Sequence, residues 1–141
     1  MTSPDPAAEG RRRADEFLFL LSSGDGAADH VLAGVTEIRD LVFLGAGLTA
    51  TARAEARRLP PAQRAQANTR QLRLGVLRDA NRDDPAGLRI WLRRAGEEIL
   101  LIRSQQESAD RVHAADQERT ATRAAAEASG TDAASRPAAS T

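Results

Sequence analysis

Cysteine, lysine and tyrosine are all missing from this 141-residue chain, and only two histidines are present. Without Cys there is no disulfide scaffold, no thiolate zinc site and no cysteine nucleophile. Without Tyr, and with His30 and His113 as the only imidazoles, most acid–base repertoires are excluded. Three Phe and one Trp leave little for stacking on bases. Long apolar runs are absent too: the longest charge-free stretch, Leu41 to Ala52, has twelve residues, and a membrane span needs about 20.

What is present is Ala, Arg and Leu. Ala contributes 29 residues and Leu 15, against nine Val and Ile together, and all 20 cations are Arg. Leu and Ala favour helices, whereas strands prefer β-branched side chains. The Lys-free, Ala- and Arg-rich composition reads as coding bias and carries no functional meaning.

Near the start, Arg12-Arg13 precede the apolar Phe17–Leu21, a faint likeness to an export signal. The apolar core is five residues where about 7–15 are needed, and Asp15, Glu16 and Asp25 flank it. The expectation is a cytoplasmic protein without a membrane segment.

Large apolar residues recur from Phe17 to Ile102 and then stop, with Val112 alone beyond. Residues 1–13 and 129–141 carry too little apolar area to offset ordering entropy, so disordered termini are expected. Residues 14–103 should form the folded domain. Residues 104–128 have good helix formers without an apolar stripe, which predicts a projecting polar helix.

Within 14–103 the spacing predicts an all-α bundle of three or four helices. Val31, Val35, Ile38, Val42, Gly45, Thr49, Ala52, Ala56 and Leu59 alternate steps of four and three, the signature of one helix face. Leu88, Leu92, Ala95, Ile99 and Ile102 repeat it, opened by Asp84 as cap and Pro85 in the first turn. Leu72, Val76 and Ala80 mark a face between Pro61 and Arg82. Breaks are expected at Ser22–Gly26, Pro60-Pro61 and Asn81–Pro85.

The alternative is a small α/β fold with four short parallel strands. The runs Phe17–Leu21, Leu41–Leu44, Leu72–Leu77 and Ile99–Ile102 begin 24, 31 and 27 residues apart. The second run leads into Gly45-Ala46-Gly47-Leu48-Thr49-Ala50, which fits G-x-G-x-x-A, so Gly45 and Gly47 would cradle a phosphate in a nucleotide binder. The runs hold few β-branched residues, and the helical reading places the two glycines at a close helix–helix approach or a kink.

Net charge is zero but unevenly spread. Residues 1–52 carry a net −4, residues 53–82 a net +6, and residues 83–132 a net −3. On a helix from Pro61 to Arg82, Arg64, Arg70, Arg73, Arg78 and Arg82 lie away from Leu72 and Val76. Arginines interleaved with Gln and Asn can reach phosphates and base edges, so nucleic-acid binding is one reading. The plainer one is pairing with acids such as Glu37, Asp40, Glu97 and Glu98.

No constellation points to catalysis. Asp110-x-x-His113-x-x-Asp116 lacks the second helix that a bundle metal site needs, and His30 stands beside Asp29 without a further partner in the pattern. No metal, cofactor or enzymatic activity is expected. The leading functional expectation is a helical interaction module, assembling with itself or another helical protein, a coiled coil included. Leu41–Leu44 and Ile99–Ile102 are apolar all round a helix, more than one copy would hide. Phe17, Leu41, Phe43, Leu74, Trp91, Leu100 and Leu101 are the expected contact residues.

Overall fold

The computed structural model describes residues 5–135, with side chains through 129. It is all-α: α1 (Pro6–Ser23), α2 (Ala27–Gly34), α3 (Ile38–Ala56), α4 (Pro61–Ala80) and α5 (Pro85–Ser135), with no strand among the described residues. The α/β alternative is thereby overturned. The chain divides into two units after Gln106.

The turn chemistry explains the breaks. The side chain of Asp5 accepts from the Ala7 N–H at 3.1 Å, with Pro6 next, so α1 starts on a capped turn. Gly24 and Gly26 hold φ of 72° and 82°, the left-handed conformation that ends α1 and admits α2. Asp84 accepts from Ala86 N–H at 3.1 Å and opens α5 at Pro85 as expected.

α1 corrects one expectation: residues 6–13, placed in a disordered arm by composition, form its first two turns. Small residues supply what large ones do not. A Cβ on Gly10 would lie 2.6 Å from the Phe43 carbonyl oxygen, and one on Gly47 3.1 Å from Ala14 Cβ, so α1 and α3 meet almost backbone to backbone. Arg12 donates to Glu9 at 2.6 Å and holds that carboxyl below its ordinary value.

The core unites α1, α2, α3 and the first part of α5. Phe17, Leu41, Leu44, Leu48, Leu59, Leu88, Leu92, Ile99 and Ile102 are fully buried. Trp91 covers Gly45, where a methyl group would overlap the indole, and Gly96 lies 2.6 Å (from its ideal Cβ position) beneath Phe17. Gly45 and Gly47 are therefore close-packing positions on α3, and the phosphate cradle is overturned.

The α5 stripe is as the spacing predicts, with Leu88, Leu92, Ala95, Ile99 and Ile102 all buried. The stripe from Val31 to Leu59 is not one face. Val35 is extended and separates α2 from α3, and α3 buries Leu41, Leu44, Leu48 and Ala52 while Ile38 and Val42 stay exposed. α2 ends on a distant side chain: Arg89 of α5 donates to the Leu32 and Val35 carbonyl oxygens at 3.1 and 3.0 Å. A cation there also complements the helix C-terminus.

The second unit begins at Glu107. From Asp110 to Ser129 every side chain is exposed, with local pairs such as Arg123–Glu127 along the surface. α5 continues to Ser135, so the tail expected to be disordered from 129 is helical at its start; residues 1–4 and 136–141 lie outside the described residues.

Candidate functional site

α4 is the least embedded helix of the first unit. Only Ala67 is buried, with Gln63, Arg70, Leu74, Leu77 and Asn81 half-buried at alternating steps of four and three. Half of this inward row is polar. The row expected to face inward, Leu72 with Val76 and Ala80, faces solvent: Leu72 is 75% and Val76 70% exposed.

A polar clamp replaces the missing apolar contact. Arg70 Nε donates to both carboxylate oxygens of Glu98 at 2.8 Å, and Arg70 Nη2 reaches Gln105 Oε1 at 3.5 Å. Glu98 is only 7% exposed, the one charged residue in the core among the described residues, and pairing with a guanidinium is what makes its burial tolerable. Asn81 adds a bond to the Leu77 carbonyl at 2.8 Å and packs on Gly87.

Beside this clamp α4 and α5 leave a groove of about 370 Å³. Leu74 and Leu77 come from α4 and Leu101 from α5, forming the apolar lining, while Arg73 and Arg94 stand at its edges with Glu97. Leu101 is 42% exposed. Glu97 already accepts from Arg93 at 3.2 Å, and Arg93 also pairs with Asp29. Among the described residues Arg73 and Arg94 have no such acid, so the groove carries two free guanidinium groups over leucine.

The expected contact residues separate accordingly. Leu74 and Leu101 meet in the groove. Phe17 and Leu41 are core residues within a single copy and present no surface, and Trp91 is a core residue open over only 3% of its area, a correction that follows from the close helix packing through glycine. Phe43 is half-buried with the Arg39 guanidinium 5.8 Å above its ring, and Leu100 is half-buried outside the groove.

The five arginines of the nucleic-acid reading do not act together either. Arg70 is taken by Glu98, Arg64 donates to the Leu59 carbonyl at 3.2 Å, and Arg78 pairs with Asp79 at 3.1 Å. Arg73 and Arg82 stay exposed.

Leu77 and Arg94 are site residues that apolar periodicity misses, whereas Glu98 is one of the acids expected to pair with the arginines of α4, and it pairs with Arg70. The signal that could have found Leu77 is the row Ala67, Arg70, Leu74 and Leu77, whose steps of three and four hold one helix face. Among the described residues no group of three or more His, Asp or Glu is placed to hold a metal, and no helix is long and apolar enough to cross a membrane. Comparison with protein-family models, curated proteins and solved structures returns no match.

Proposed function

We propose that this chain is a non-enzymatic helical interaction module that holds an acidic, amphipathic helix of a partner protein in the groove between α4 and α5. The observation that supports this is the pair Arg73 and Arg94, without acids of their own, flanking Leu74, Leu77 and Leu101. A helix laid in such a groove would bury an apolar side chain on the leucines and set carboxylates on the two guanidinium groups, which take carboxylates bidentately. The Arg70–Glu98 clamp keeps both walls in register, so little ordering is left to occur on binding.

The test uses a fluorescein-labelled peptide of about 20 residues with Leu at helical spacing and Glu between, titrated by anisotropy. Saturable binding that weakens with salt is expected. Leu101→Asp should lower affinity by about 10- to 100-fold, from the loss of about 1.5–3 kcal/mol of burial. Arg73→Gln with Arg94→Gln should abolish the salt dependence. Equal binding by wild type and variants would overturn the proposal. Tight, salt-sensitive binding of duplex DNA without peptide binding would put the nucleic-acid reading in its place.

A further inference from the structure

On the other flank of α4 lies a second cleft, of about 310 Å³, between α3 and α4. Its floor is apolar: Leu48 and Ala52 come from α3, and Trp91 and Ala95 from α5, all buried core residues. Its charged lining is Arg53, Arg78 and Asp79. Gln71 stands in the wall, and its Nε2 is buried and meets no acceptor.

We propose that this cleft binds a small amphipathic monocarboxylate, with its hydrocarbon on the Trp91 floor and its carboxylate at Arg53 and Gln71. Three features select that class. The charge is right for one negative group: two guanidinium groups face one carboxylate, and Arg78 is already bonded to Asp79 at 3.1 Å, which leaves Arg53. A doubly charged phosphate would find one free cation and an apolar floor. The size is right as well, because a dry cavity of about 150 Å³ accepts benzene, and twice that volume takes an acyl chain of about eight carbons.

The third feature is the amide. A buried donor left without an acceptor costs about 1–3 kcal/mol, and a carboxylate oxygen beside Gln71 removes that cost on binding. At the open end Leu72 and Val76 are exposed and line the same cleft, so a chain longer than the floor gains further apolar cover from α4.

Trp91 is the only tryptophan, so its fluorescence reports directly on the floor. The intact chain is titrated with octanoate, octanol and octyl phosphate, with heats of binding measured in parallel. Octanoate should give a saturable Trp91 shift, and octanol should bind about tenfold more weakly for want of the charge-assisted bonds. Arg53→Gln should weaken octanoate by about tenfold and Gln71→Leu by about fivefold, the latter without lowering the melting temperature, since an orphaned donor is removed. Octanol binding as tightly as octanoate would overturn the carboxylate assignment, and so would tighter binding of octyl phosphate. Absence of a saturable shift at about 10 mM octanoate, weaker than any useful affinity, would overturn the site itself.

Discussion

α4 and the first part of α5 are helices of similar length in the same unit, yet they are held by different forces. From Leu88 to Ile102, α5 buries a continuous apolar stripe together with Trp91. α4 buries one alanine and is otherwise attached by half-buried leucines, an amide on a glycine and the Arg70–Glu98 pair. Apolar burial is additive over the stripe and insensitive to angle, so α5 is fixed by quantity. The hold on α4 depends on the geometry of a few polar atoms, and it leaves a cleft on each flank.

The contrast breaks most visibly at Ile99, where truncation to Ala should cost about 2–5 kcal/mol from lost burial and the cavity left behind, read as a fall in the denaturation midpoint. A cost below about 1 kcal/mol would mean that the α5 stripe is not the core. Next comes the clamp. Arg70→Ala strands the Glu98 carboxylate in the core and should cost about 3 kcal/mol, whereas Glu98→Ala leaves a quarter-exposed guanidinium free to reach water and should cost less. Equal losses in chemical denaturation would show the pair to be a surface contact.

Smaller effects sharpen the comparison. Gly75→Ala should stabilise by about 0.5–1 kcal/mol, because a methyl there meets only Arg78 Nη2 at 4.0 Å and the helix gains propensity. The same exchange at Gly45, against the Trp91 ring, should destabilise, and a melting curve distinguishes the two signs. Leu72→Ala should move stability by less than about 0.5 kcal/mol. A loss as large as that at Ile99 would place Leu72 in an internal contact.

How far the chain could be read from its letters follows the same division. Leu88, Leu92, Ala95, Ile99 and Ile102 were legible because a period of 3.6 and apolar chemistry point to one face. The cap at Asp84 and the break at Ser22–Gly26 were legible because each uses local chemistry. Leu72 and Val76 misled because apolarity on α4 runs opposite to its anchored row, and nothing local links Arg70 to Glu98, 28 residues later. The first turns of α1 were missed because Gly10 and Ala14 contribute proximity where area was being counted. In the candidate groove, Leu74 and Leu101 could be named singly, as an apolar residue amid arginines and as part of an all-round apolar run, whereas their meeting is a property of the tertiary packing.

The Arg89 fork onto the end of α2 has a kinetic consequence. A helix of eight residues does not persist in water by itself, and here its last carbonyls are held by a side chain more than fifty positions downstream. The amides of residues 27–35 therefore serve as a remote gauge. Their exchange with deuterium, or their cleavage by protease, is gated by loosening of the first turns of α5, so an eight-residue helix signals the integrity of the segment that holds its end.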